Sequence, residues 1–302
     1  MVQLVLVVVQ VLFASLAIVG RLVLPSVPPG VLVTFRIVGA AGALLAFNLV
    51  RRGPWLRDAA VLRRIAVCAL LGVTVNQTLF LFGLRHTTAV NATILVTTVP
   101  VFTVLGSVLL GLERPSGLKL AGIGLAATGA IYLVGPERFS LEPSAAMGNL
   151  LILGGMIAYA SYFLLSKPIV TRHDPITVST YVMLFAAIAV LPLGVPSILA
   201  ADLQRVSGNT WWLVTYLVVG PTIGAYFLNL WALRHASSNT VATFIYLQPL
   251  LAAMVAPLLL PDEHLAVRTI VAGLAIFAGL GMVIRAERAE RQSVSLEPGV
   301  GE

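Results

Sequence analysis

The sequence repeats itself, and the repeat covers nearly its whole length. Leu79 to Val134 returns with changes as Leu228 to Val283, and the sharpest match sets Leu84-Arg85-His86 on Leu233-Arg234-His235. The same shift of about 149 positions sets Pro100 on Pro249 and Gly124-Leu125-Ala126 on Gly273-Leu274-Ala275. Upstream a slightly shorter shift sets Ala14-Ser15 and Arg21 on Ala160-Ser161 and Lys167. The chain therefore has to fold as two similar units, residues 1-135 and 146-285. A short polar linker, 136-145, joins them and carries Glu137, Arg138 and Glu142. Residues 286-302 are charged, end in Ser, Pro and Gly, and are expected to form a disordered cytoplasmic tail.

Composition decides the solvent. Hydrophobic residues make up 59% and charged residues 10%, against roughly 25% charged in soluble domains. With so few charges no polar shell can cover a core of this size, so the chain is read as an all-α integral membrane protein without a large extramembrane domain. The opening apolar stretch lacks the basic start of a signal peptide and is taken as a retained span. The net charge of +7 resides in short loops between apolar runs, where it orients the chain; no nucleic-acid partner is expected. Cys68 is the one cysteine and reads as a small buried residue.

A bilayer crossing needs roughly 20 apolar residues. Such runs lie near Gln3 to Val23, Val31 to Val50, Ile65 to Leu84, Thr88 to Leu112 and Gly117 to Val134 in the first unit. The second unit supplies Ala146 to Ser166, Thr177 to Ala200, Trp211 to Leu233, Thr240 to Leu260 and Val267 to Ile284. Their apolarity is continuous and not alternating, which favours helices over a barrel. With five spans per unit, an odd number, the second unit must enter from the opposite side, so the repeats are inverted about an axis in the membrane plane. Basic residues concentrate after spans two, four, six, eight and ten: Arg51, Arg52, Arg57, Arg63, Arg64, Arg114, Lys119, Lys167, Arg172, Arg234, Arg285, Arg288 and Arg291. By the positive-inside rule both termini are expected to be cytoplasmic.

These residues carry a family resemblance. Phe35-Arg36, the run Gly83 to Ala92, Pro100, Leu110-Gly111-Leu112-Glu113-Arg114, Gly122 and Gly129 resemble the EamA domain of the drug/metabolite transporter superfamily. The second unit repeats the pattern from Ala232 to Ala242, at Pro249, at Asp262-Glu263-His264 and from Gly273 to Gly279. The resemblance implies a ten-span carrier with a central cavity, exporting amino acids or other small metabolites across a bacterial inner membrane. One departure is that the family's aromatic-glycine pair in the first span is replaced by Phe13-Ala14-Ser15 and Tyr159-Ala160-Ser161.

Arg36 lies inside an apolar span, where a charge costs at least about 2.5 kcal/mol at mid-depth. Two roles fit it: a fork for a substrate carboxylate or phosphate, or a structural arginine bonded to neighbouring carbonyls. Gln10, Asn76 and Gln77 in spans one and three, and Tyr159, Tyr162, Tyr226, Asn229, Tyr246 and Gln248 in the second unit, have polar groups that cannot face lipid unsatisfied. They are expected to turn inward, either to bond between helices or to line the substrate site. Tyr159 with Tyr162, and Tyr226 with Asn229, lie three apart and share a helix face. Pro100 and Pro249, at matching places in spans four and nine, are candidate hinges, with static kinks as the alternative. The glycines of spans five and ten suit close packing, either as a scaffold or as a homodimer contact.

No catalytic residue, metal site or cofactor is expected, because no metal-ligand motif, phosphate loop or nucleophile-base constellation occurs. All acids placed along the chain fall in loops or at span edges, which disfavours carboxylate-driven antiport of cationic drugs. The partners are then a small-molecule substrate and membrane lipids. The leading function is secondary transport of small polar metabolites, amino acids first, by alternating access. The alternatives are exchange of nucleotide-sugars or phosphorylated metabolites, or an intramembrane enzyme acting on lipid or peptide.

Overall fold

The computed structural model describes residues 1–302 apart from 85, 88, 114, 141, 252–253, 255–266 and 297–302. The described elements are all helical, as backbone groups in lipid must be satisfied within their own segment. Among the described residues eight helices are long and apolar enough to cross a membrane. Span one adds a 22-residue helix, Val2–Val23. Span nine is described from Ser238–Thr243 through the 3₁₀ turn Phe244–Tyr246; its expected end, like Asp262 and Glu263, lies outside the described residues.

The packing follows the inverted repeat. Span two (Pro29–Val50) packs on its own counterpart, span seven (Pro175–Leu199), and span five (Gly117–Val134) on its counterpart, span ten. Span one packs on span eight, and span six (Pro143–Val170) on span three, two contacts that the pseudo-twofold exchanges. The start of span one and the far part of span ten share one face of the molecule, since Val2 and Gln3 line a cavity with Glu287 and Arg288. That face is called the terminal face below.

Several elements differ from the sequence expectation for identifiable reasons. Span three starts at Ala59, because Asp58 caps its first turn by accepting from the Ala60 amide (2.8 Å). Span four is two helices, Ala89–Val96 and Val99–Leu109, broken at Thr97–Thr98. Pro100 therefore sits in the first turn of the second piece, where its missing N–H costs nothing, and not in a helix interior. Span ten runs from Val267 to Leu296, so residues 286–296 are helix where a disordered tail was expected. Lys119, read as a loop charge, is 1% exposed in the first turn of span five. Its ammonium meets Glu287 (3.1 Å) and Glu290 (2.8 Å) on that extended end of span ten. Lys167 is likewise no loop residue: it lies in the span-six helix and donates to the carbonyls of Leu233 and Ala236 (2.6 Å each) at the end of span eight.

The glycines of spans five and ten pack within the chain. A Cβ on Gly122 would lie 2.7 Å from the Gly279 carbonyl oxygen, and one on Gly279 only 2.5 Å from that of Gly122. Gly117, Gly124 and Gly281 have open space around them. Gly135 ends span five in the left-handed region, at φ 98°.

At the terminal face spans two and seven are tied by charge. Arg51 pairs with Asp174 and donates to Asn48 (2.7 Å) and Thr177 (2.8 Å). Partial burial would raise the Asp174 pKa. The bonds from Arg51 and from the Thr177 amide and hydroxyl outweigh it and hold the carboxyl below its ordinary 3.8. A depressed carboxylate stabilises the fold fully above pH 3.8 and loses that contribution as the pH falls through its lower folded value. Thermal unfolding in detergent is thus expected to weaken below the ordinary carboxylate range, and Asp174→Asn is expected to reduce that pH dependence.

Candidate functional site

The arrangement begins with a proline in the middle of span eight. Pro221 has no N–H and its ring would strike the carbonyl four residues back, that of Leu217. Span eight relieves this with a π-helical stretch, Val218–Gly224, between the α-helices Gly208–Leu217 and Ala225–His235. That stretch sets Thr222 five residues after Leu217, the spacing of a π-helical bond, and the Thr222 hydroxyl donates to the Leu217 carbonyl (2.7 Å). With its proton committed there, the Thr222 oxygen accepts from Nε of Arg36 (3.0 Å), seven residues into span two.

Arg36 is 6% exposed. Among the described residues no carboxylate pairs with it, and Thr222 is its only hydrogen-bond partner. The fork of terminal nitrogens is thus held by its Nε and is otherwise uncommitted. The Tyr226 hydroxyl lies within electrostatic range of the guanidinium.

Span three holds a matching π stretch, Leu70–Val75, about 149 positions before that of span eight. Two consequences follow at the pseudo-twofold. The Gly72 carbonyl accepts from the Tyr226 hydroxyl (3.3 Å), and Gly72 packs so closely that a Cβ there would lie 2.3 Å from the Tyr162 ring. Gln77 donates to the same Tyr226 hydroxyl (3.2 Å), and these two residues are 149 apart, so positions equivalent in the two units touch.

From Tyr226 the cluster continues through aromatic rings. Phe13 of span one meets Tyr226 edge-on (6.0 Å), Tyr162 lies 6.4 Å from Tyr226, and Tyr159 stacks on Tyr162 (5.8 Å). Asn229 donates to the Tyr159 hydroxyl (3.2 Å). The Tyr162 hydroxyl and the Asn229 carbonyl oxygen are buried with no partner among the described residues. An unmet polar atom in a dry interior costs about 1–3 kcal/mol, a penalty that an occupant with hydrogen-bonding groups would remove.

The structure thus joins Arg36, Gln77, Tyr226, Tyr162, Tyr159 and Asn229. Gln10 and Gln248 form a separate pair (2.8 Å), with Gln10 one helical turn before the Phe13 that touches Tyr226. Tyr246, fully buried with an unmet hydroxyl, lies in the 3₁₀ turn two residues from Gln248. Asn76 is not part of the cluster: it donates to the Gly155 carbonyl (3.0 Å) and ties span three to span six. Pro249 follows the turn Phe244–Tyr246 as Pro100 follows the break at Thr97–Thr98, so spans four and nine are both interrupted just before their prolines. The sequence reading missed Thr222 and Pro221. A proline in the middle of an apolar run was the signal that pointed to them.

A family model described as the EamA-like transporter family matches residues 1–135 and 146–285. An uncharacterized transporter of Archaeoglobus fulgidus is 28% identical over 234 residues, covering 77% of this chain and 80% of its own. A probable terminal-alkyne amino-acid exporter of Streptantibioticus cattleyicolor is 30% identical over 158 residues, 52% of this chain and 51% of its own. A crystal structure of another protein superposes with a TM-score of 0.77 at 19% identity, covering 95% of this chain and 98% of that one, and so shares the fold.

Proposed function

From the membership of this chain in the EamA-like transporter family, we propose that it is a secondary carrier exporting amino acids by alternating access between its inverted repeats. The family is one of transporters and not of enzymes, and a multi-pass membrane protein of this kind moves a small-molecule substrate. The observation that carries the finer reading is the uncommitted fork of Arg36 at mid-membrane. A buried cation without a counterion suits a carboxylate, which the planar guanidinium binds through paired bonds. Tyr226, Tyr162 and Tyr159 offer an apolar wall with polar tips beside it, and Asn229 an unmet acceptor, a combination that fits a zwitterion with an apolar side chain. The partial likeness to an amino-acid exporter points the same way. A single cation at this site is meagre for a phosphate or diphosphate.

In this reading the terminal face, rich in arginine, is cytoplasmic in a bacterial inner membrane. The interruptions before Pro100 and Pro249 act as the flexing points of spans four and nine. The mid-depth residues are packed against one another, as in a carrier between its open states.

Purified protein in liposomes preloaded with an amino acid tests the proposal. Uptake of the labelled amino acid should be saturable and accelerated from the opposite side. Tyr226→Phe, which deletes the hydroxyl bonded to Gln77 and Gly72, is expected to raise KM about two- to tenfold, the worth of one hydrogen bond. Unsaturable flux would identify a pore, and acceleration by sugar phosphates alone would replace amino acids with phosphorylated metabolites.

A further inference from the structure

The repeat shift of 149 that pairs Gln77 with Tyr226 also pairs Lys119 with Arg268. Both are basic residues near the start of a span, five and ten, and each faces a glutamate at the end of the other. Lys119 meets Glu287 (3.1 Å), and Arg268 meets Glu137 (2.7 Å), which lies one position from the counterpart of Glu287. Spans five and ten run antiparallel along their glycine contact, so one ion pair closes each end of it, at opposite faces of the molecule.

The two clasps are not equal. Arg268 and Glu137 are 29% and 57% exposed, whereas Lys119 and Glu287 are 2% and 13% exposed. Glu287 also accepts from the Ser237 amide (3.0 Å), the Ser237 hydroxyl (2.6 Å) and the Thr240 hydroxyl (2.7 Å). Glu113, just before span five, accepts from the Ser238 amide (2.8 Å). Two carboxylates thus hold the first turn of span nine, where orphan amides and the helix dipole favour negative charge. In the first unit Asn91, the counterpart of Thr240, bonds among the described residues to neutral groups, Ser140 (2.8 Å) and Asn149 (3.0 Å).

We propose that Lys119 and Glu287 are positioning residues of the transport cycle: they latch span nine onto span ten and hold the terminal face shut. Opening that face requires Glu287 to release Ser237 and Thr240, while at the opposite face the partners of Asn91 among the described residues are neutral. The carrier therefore rests closed at its terminal face. A cavity of about 190 Å³ beside the latch, lined by Gln3, Leu6, His235, Thr240, Glu287 and Arg288, gives span nine room to move. The inference holds whichever solute is carried.

Cysteine accessibility tests it, since the native Cys68 is itself buried. Leu6→Cys places a thiol at a fully buried position of the terminal-face cavity, and Ala145→Cys places one at a 6% exposed position at the opposite end of span six. Labelling by a hydrophilic maleimide in detergent reports both faces. Glu287→Gln and Lys119→Met should each speed labelling of Leu6→Cys about tenfold, the worth of roughly one charge-assisted bond, and slow labelling of Ala145→Cys. Arg268→Ala should do neither. Thr240→Val removes one of the bonds to Glu287 and no charge, and should shift both rates the same way by less; it decides the matter if the charge variants fail to fold. Unchanged labelling at Leu6→Cys, or equal acceleration at both positions, overturns the proposal.

Discussion

Replacing Arg36 with methionine should lower kcat/KM for amino-acid transport about 10- to 150-fold, because hydrogen bonds to a charged group are worth about 1.5–3 kcal/mol. The protein should be at least as stable afterwards. Arg36 has no acidic partner among the described residues, so methionine removes a desolvated charge and strands only the Thr222 oxygen. Arg36→Lys keeps the charge without the fork and should recover activity only in part. Transport in proteoliposomes and thermal unfolding in detergent, measured on the same preparations, separate the two roles that the sequence left open. A structural arginine would lose melting temperature together with activity, whereas a substrate fork loses activity alone.

The second large effect falls on stability. Gly279→Leu should destabilise the protein by about 3 kcal/mol or more, at or beyond the upper end of ordinary overpacking. Even the first carbon of the new side chain would lie 2.5 Å from the Gly122 carbonyl oxygen and 2.7 Å from the Ala126 nitrogen, both backbone atoms. They can retreat only if spans five and ten separate. Gly281, two residues on and facing open space, is the control. Gly281→Ala should be neutral or stabilising by up to about 1 kcal/mol through helix propensity. Thermal unfolding of the two variants measures the contrast. A homodimer built on the glycine faces would instead make Gly281 the sensitive position.

The gross architecture was legible because it depends on local chemistry. Apolar runs of bilayer length give helices, and an odd number per repeat gives inversion. The partnering of spans two with seven and five with ten, each with its own counterpart, then agrees with that symmetry. Arg36 was legible as well, because a charge inside an apolar run stands out. What escaped depends on contacts between distant residues. Glu287 and Lys119 both lie near span ends, where charge normally means solvent, and only the packing of spans five and ten shows that they bury each other. The start of span three escaped because the Asp58 cap extends the helix past its apolar part. Thr222 escaped because its role follows from the π-helical turn around Pro221, and a hydroxyl in an apolar run carries no mark of which neighbour it will serve. Asn76 and Gln77 are adjacent and chemically alike, yet one ties helices and the other reaches Tyr226; helical phase separates them, and the π stretch just before them resets that phase.

The symmetry that builds the middle of the molecule is broken there. Thr34 and Thr180 are equivalent positions that bond alike to the carbonyl four residues back, but two residues further on one unit has Arg36 and the other Val182. Gln77 likewise meets Tyr226 and not another glutamine. A molecule with unlike ends would find that a half-turn is not neutral: its acidic end has a single mooring, on the side of span two. As the halves rock it would keep its heading, leaving by the far door with the same end still leading or trailing as when it came in.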